Sequence, residues 1–400
     1  MTSLWLPSPW QDMVHDVNIN PNNMTGKEST YLKPIGTLQL IAIVAVVIGH
    51  FAVKDPSFMN SHWVSFCFVY SGFFTAMRHR FGSDYGIKTH AHFMLDKLAK
   101  LYPLHLFALA LGLFDAWYVW GSNTINLKVL FTQLTLISPW IPDPNYYFAI
   151  NPVGWFLCDL FFLYLMAPVI VKLLRRCRLT WQIVGIIILL GIEMAGGYTS
   201  KPNTGSSLLG MYLLYEFPPI RLLDFATGII LCNITQGAWW QQLQSQVTSR
   251  KATLIETTGT LLSVVLYLIE KSVLFPHCYR AFCVMAPGIV ILMATFLLTS
   301  KTNGLISKAL GFGPLTRFNT IGYEIYLLQF GVYYLLKPTL QSMGLHQYDP
   351  LQFALFFAAL LVVSWLTHRC YVAPVGKWLH SQHQRILIEE NSNTPPKTTK

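Results

Sequence analysis

The tightest constraint on this chain is an uncharged stretch, Gly36 to Val53 (GTLQLIAIVAVVIGHFAV), long enough as one helix to cross a hydrocarbon core of roughly 30 Å. His50 sits inside it, toward the far end. An ionisable side chain at that depth is costly unless it has a partner or a task, so it marks a candidate functional site. Gln39 lies eleven residues earlier. At about 100° per residue the two share nearly one helix face, roughly 16 Å apart along the axis.

Nine further apolar runs follow, near 62–77, 101–120, 152–172, 180–197, 219–234, 253–270, 281–300, 319–336 and 351–369. With 12% charged residues, the chain carries about half the charge fraction of a soluble domain. The expectation is an all-α polytopic membrane protein of about ten transmembrane helices. Residues 121–151 form a longer connection whose VLFTQLTLISPWIP segment suits the membrane interface better than a span, and 198–218 form a second one on the same side. No internal repeat is visible, which weighs against an inverted-repeat transporter.

The net charge of +10 is distributed as a topology signal and not as a nucleic-acid surface. Twenty-one of the 28 Lys and Arg fall on the N-terminal side of the runs and six on the other, with Arg221 left inside the sixth run. That asymmetry puts both termini in the cytoplasm. It divides the chain into a cytoplasmic segment 1–35, a transmembrane region 36–370 and a polar cytoplasmic tail 371–400, disordered after Lys377. The first 30 residues hold no apolar h-region, so no cleavable leader is expected. Seven scattered cysteines give neither a disulfide framework nor metal-ligand spacing, although Cys278 and Cys283 are near enough in sequence to meet.

Four constellations remain, each with a structural and a functional reading. His50 either bridges two helices or acts as a general base near neutral pH. Arg78, Arg80, Lys97 and Lys100 either follow the positive-inside rule or seat a polyanion such as coenzyme A. Arg221 and Asp224, three residues apart in FPPIRLLDFATG, either neutralise each other or face a substrate. Asp159 and Glu324 are isolated acids in apolar runs, and Trp155, Tyr164 and Tyr326 read first as packing residues.

Together these motifs resemble the acyltransferase type 3 family of integral-membrane acyltransferases, over about residues 33 to 370. LQLIAIVAVVIGHF is similar to the family's first helix with its catalytic histidine, here His50. FVYSGFF carries its Ser-Gly-Phe as Ser71, Gly72 and Phe73. DKLAKLYPLH is similar to its basic run before Tyr-Pro, through Lys97, Lys100, Tyr102 and Pro103. WFLCDLFFLYLMAP matches loosely through Trp155, Leu157, Tyr164 and Pro168. FPPIRLLDFATG matches through Arg221, Asp224, Phe225 and Gly228, and IGYEIYLLQ only in part. Three positions depart: Gln39 where arginine is common, Lys97 and Lys100 where arginine is usual, and Gln329 where histidine is common.

The resemblance implies an O-acyltransferase that moves an acyl group, acetyl from acetyl-CoA in the first instance, to a hydroxyl of a cell-envelope polysaccharide or lipopolysaccharide sugar. It implies no metal. Gln39, Arg78, Arg80, Lys97 and Lys100 would face the donor, His50 would be the base with Asp159 or Asp224 orienting it, and Arg221, Asp224 and Trp155 would contact the acceptor or the oxyanion. The implied partners are acyl-CoA, a glycan or glycolipid acceptor and the bilayer, with no nucleic acid, in a bacterial inner membrane. The alternatives are a transporter or flippase for a lipid-linked or small anionic substrate, and a non-catalytic scaffold.

Overall fold

Lipid offers no partner to a bare N–H or C=O, so helix is the conformation open to long apolar runs in an unclosed chain. The computed structural model describes residues 32–54, 60–79, 81–82, 85–119, 121, 126–199, 206–269 and 287–392, and among them there is no strand. The α-helices in order are α1 Lys33–Phe51, α2 Asn60–Arg78, α3 Ile87–Tyr118, α4 Leu127–Leu134, α5 Pro144–Tyr147, α6 Trp155–Arg176, α7 Leu179–Thr199, α8 Ser206–Tyr215, α9 Pro218–Gln236, α10 Ala238–Ser245, α11 Ser249–Ile269, α12 Pro287–Thr299, α13 Leu305–Leu310, α14 Gly313–Phe318, α15 Gly322–Ser342, α16 Pro350–Thr367 and α17 Ala373–Ser392.

Each of the ten apolar runs overlaps one of these helices, the eighth from Pro287 onward. Among the described residues, six stretches are long and apolar enough to cross a membrane unaided: α1, α3, α6, the stretch Tyr212–Gln236 that includes α9, α11, and Pro350–Arg385. The molecule is thus an all-α polytopic membrane protein. α2 and α15 carry more polar side chains, and those face the interior: Ser65, Ser71, Thr75, Glu324 and Gln329 are all buried. α11 does the reverse and leaves Leu254, Leu261 and Leu268 exposed, as a lipid-facing helix does.

The tightest crossing joins α2 to α9. A Cβ on Gly72 would lie 2.0 Å from the Phe225 carbonyl oxygen, and one on Gly228 would lie 2.0 Å from that of Val69. The two backbones therefore touch, each glycine opposite the other helix. Without a hydrophobic drive between helices in lipid, this close van der Waals approach is the main route to a stable crossing.

The connection between α3 and α6 keeps one face outward, with Leu127, Phe131, Leu134, Ile137 and Trp140 exposed, and turns its other face into the bundle. Tyr102 Oη donates to the Leu134 carbonyl at 2.8 Å, and His105 Nε2 meets the Gln133 carbonyl at 2.8 Å. Those partners sit mid-way along α3, which runs on for roughly 24 Å beyond Tyr102, so the segment folds back into the bundle. Its backbone turns at Leu136 and Ile150, both at positive φ (60° and 62°). Gly112 on α3 admits the Ile150 carbonyl, which would stand 2.2 Å from a Cβ there. Gln133, Ser138 and Asn151 are buried, and Asn151 Nδ2 donates to the Leu327 carbonyl on α15 at 3.0 Å. Polar pairing of this kind lets irregular backbone sit at membrane depth. The sequence reading missed it because Gln and Asn lower the hydropathy of a segment whose burial depends on them.

The region expected as a disordered tail differs as well. α16 passes without a break through a π-helical turn, His368–Val372, into α17. α17 packs on the foot of α3, where Asp96 Oδ1 accepts from His383 Nδ1 at 2.7 Å and His92 Nδ1 lies 2.8 Å from His383 Nε2. Glu324 is likewise structural, with Oε1 2.6 Å from His368 Nδ1 in the π turn. Cys278 and Cys283 lie outside the described residues; Cys67, Cys158, Cys177, Cys232 and Cys370 are free.

Replacing Gly72 or Gly228 with alanine forces α2 and α9 apart and should cost about 1–3 kcal/mol, read as a lower unfolding midpoint in detergent. Gly185→Ala, at a position with open space around its Cβ, should leave that midpoint unchanged.

Candidate active site

His50 reaches its position through helix length. α1 starts with Pro34 in its first turn, where a missing N–H costs nothing, and His50 falls in its last turn. Phe51 anchors that turn against Phe330, Tyr333 and Phe356 at centroid distances of 5.1, 4.5 and 4.7 Å. The half-buried imidazole packs on Phe330 at 5.2 Å, and its Nδ1 lies 2.8 Å from Gln329 Oε1. Gln329 Nε2 donates to the Tyr326 carbonyl at 2.8 Å. The imidazole's Nδ1 partner is therefore Gln329, and not Asp159 or Asp224 as expected. Neither Asp159 oxygen has a hydrogen-bond partner among the described residues.

Tyr326 links this group to a second one. Its ring packs on Phe156 at 4.9 Å, and it lies within electrostatic reach of Asp159 and Arg221. Arg221, in the first turns of α9, is completely buried. Its Nε donates to the Tyr215 carbonyl at 2.7 Å, and one terminal nitrogen donates to Ser65 Oγ at 3.2 Å and Asp224 Oδ2 at 2.9 Å. The guanidinium carbon lies over the rings of Tyr215 (4.6 Å), Phe68 (5.4 Å) and Trp155 (5.8 Å). This is how a cation is held at membrane depth: one carboxylate, two hydrogen-bond acceptors and three aromatic faces. Asp159 is buried in the field of Arg221 and Glu216. Arg221, Asp224 and Trp155 are thus brought together as one packed unit, of which Ser65 and Tyr215 are members the sequence reading did not single out.

The junction of α2 and α3 assembles the cations. Lys97 Nζ sits over Phe93 at 5.0 Å and Tyr164 at 4.7 Å, and Arg78 over Phe74 at 5.1 Å. Tyr164 and Tyr323 both approach Ser71, whose hydroxyl donates to the Cys67 carbonyl at 2.8 Å. The serine of the Ser-Gly-Phe motif thereby ties α2, α6 and α15 beneath the lysine. His79, just past α2, reports the convergence: burial and then the charges of Lys97, Arg78 and Lys100 hold its pKa well below the ordinary histidine value. Arg80 lies outside the described residues. Gln39 is half-buried on α1 and makes no side-chain hydrogen bond among the described residues.

The structure thus sets an amide-held histidine at the end of α1 and three cations at the junction of α2 and α3 in a helical membrane protein. The chain belongs to the acyltransferase type 3 family, whose acyltransferase-domain model matches residues 35–369. It is 28% identical over 200 residues to acyltransferase MdmB of Streptomyces mycarofaciens, covering 46% of this chain and 49% of that protein. The chain thus spans about half the length of the curated relative it matches. No solved structure matches it.

Two outcomes follow from the charges. Arg221→Met should cost about 3–5 kcal/mol by stranding Asp224, and adding Asp224→Leu should recover a large part of it, measured by thermal unfolding of single and double variants. For His79 the folded state binds a proton less readily than the unfolded one. Stability should therefore fall as pH drops below about 6.5, and His79→Gln should flatten that fall in melts between about pH 7 and 5.

Proposed function

We propose that the protein is a membrane O-acyltransferase in which acyl-CoA binds from the cytoplasm and a hydroxyl acceptor from the opposite side. The observation that carries this reading is the placement of two complementary chemistries at opposite ends of one bundle, a base at the end of α1 and a cation group at the junction of α2 and α3. Acetyl-CoA is the proposed donor. Its phosphates would meet Arg78, Lys97 and Lys100, with Arg80 and Gln39 as further donor contacts. The pantetheine arm would carry the thioester toward His50.

The chemistry closes without further reagents. The acceptor oxygen attacks the thioester carbonyl carbon while His50 takes the hydroxyl proton. The C–S bond then breaks, and the departing CoA thiolate recovers that proton from the imidazolium. The acceptor is proposed as a sugar hydroxyl of a cell-envelope polysaccharide or lipopolysaccharide, in a bacterial cytoplasmic membrane; the strong positive-inside asymmetry supports that orientation. Arg221 is committed to Asp224, Ser65 and the Tyr215 carbonyl, which favours catalysis over carriage of an anion by that residue. In this reading Arg221, Asp224 and Trp155 face the acceptor side, and Asp159 acts as a charge partner of Arg221.

The test is transfer or hydrolysis from radiolabelled acetyl-CoA by the full chain in liposomes, wild type against His50→Ala at matched unfolding midpoints. Turnover should vanish with His50; equal turnover in both would overturn the assignment. Lys97→Met with Lys100→Met should raise the donor KM about tenfold with a smaller loss in kcat. An unchanged KM would reduce those lysines to a topology signal. Gln39→Arg should keep or raise activity.

A further inference from the structure

From the hydrogen bonds around one amide, we infer that Gln329 is a positioning residue that fixes the tautomer of His50, so that Nδ1 carries the proton and Nε2 is the basic nitrogen. This rests on the proposed role of His50 as the base.

The argument needs no assumption about which end of the amide is which. One end of the Gln329 side chain lies 2.8 Å from the Tyr326 carbonyl oxygen. A carbonyl can only accept, so the group facing it is the NH2. The other end is then the oxygen, and it lies 2.8 Å from His50 Nδ1. An amide oxygen can only accept in turn, so Nδ1 holds the hydrogen of the neutral ring. The basic lone pair is left on Nε2, the ring atom remote from the backbone.

The surroundings leave the amide little freedom to reverse. Gln329 is fully buried, and Tyr326, whose carbonyl it grips, is buried against Phe156. The adjoining Leu327 carbonyl is itself held by Asn151 of the re-entrant segment. Phe330, one residue on, packs against the imidazole ring. Position and protonation pattern of the base thus come from the same turn of α15.

A neutral acceptor also sets how basic the imidazole is. A carboxylate in the same place would stabilise the imidazolium and raise its pKa; an amide supplies orientation without that increase. The proton taken from the acceptor hydroxyl is therefore released readily to the thiolate, and the base stays neutral to lower pH.

The experiment is the pH profile of acetyl-CoA hydrolysis, water serving as acceptor, for wild type, Gln329→Met, Gln329→Glu and His50→Ala. Gln329→Met should lower kcat at least about tenfold with donor KM within about twofold. Gln329→Glu keeps an acceptor at Nδ1 and should retain most of kcat, with the acidic limb of the profile moved to higher pH by about one unit or more. A merely structural glutamine would lower both variants alike and leave the limb in place. Wild-type kcat in Gln329→Met, or an unmoved limb in Gln329→Glu, overturns the inference while loss of activity in His50→Ala still supports the base. Activity retained in His50→Ala overturns the base itself. A measurement that needs no turnover is 15N NMR of histidine-labelled wild type, with the His50 signals assigned by their loss in His50→Asn. A proton on Nδ1 of the neutral ring supports the inference, and one on Nε2 sinks it.

Discussion

The structure depends on the contact between two glycines and two carbonyls where α2 crosses α9. Ser65, Phe68, Val69 and Gly72 recur every three or four residues and form one face of α2. Arg221, Asp224, Phe225 and Gly228 do the same on α9. Once Gly72 sits on Phe225 and Gly228 on Val69, the register of the two faces is set. Arg221 then comes to rest against Ser65 and Phe68, and Ser71 is turned toward Tyr164 and Tyr323. A larger residue at either glycine would separate the axes and take the arginine from its partners, so packing and electrostatics here are one constraint.

That constraint explains how the bundle tolerates its charges. A lone guanidinium in hydrocarbon is costly, and this one is matched by a carboxylate, a hydroxyl, a carbonyl and aromatic faces drawn from α2, α6, α8 and α9. At the junction of α2 and α3 the solution differs. Lys97 and Arg78 lie over aromatic rings, and Lys97 makes no ion pair among the described residues. Aromatic faces thus hold the cations at that junction, whereas a carboxylate and hydrogen-bond acceptors hold Arg221.

Much of this was legible in the residues. The helical, membrane-spanning class was legible in the apolar runs, because hydropathy and lipid leave a long uncharged run few choices, while the number of spans was not. His50 stood out because an ionisable group in such a run has to be accounted for. The Arg221–Asp224 spacing was enough to foresee their pairing, though not the serine and the aromatic rings that complete it, since those come from helices distant in sequence. Gln329 was visible only as a departure from a family histidine, and its grip on His50 across 279 positions is tertiary information. The inward face of the α3–α6 connection and the seat of α17 were not legible, because what holds each on α3 is a tertiary pairing: the Gln133 backbone carbonyl meets His105, and His383 binds Asp96.

The fastening of α17 to α3 has a mechanical side. Asp96 and His92 grip His383 one residue before Lys97 and one turn below it, so the foot of α3 and the C-terminal helix form a single stiff piece. A tilt of α3 about its contacts higher in the bundle would swing α17 as a lever arm, and Trp378, exposed on that arm, sits where an optical signal would register the movement.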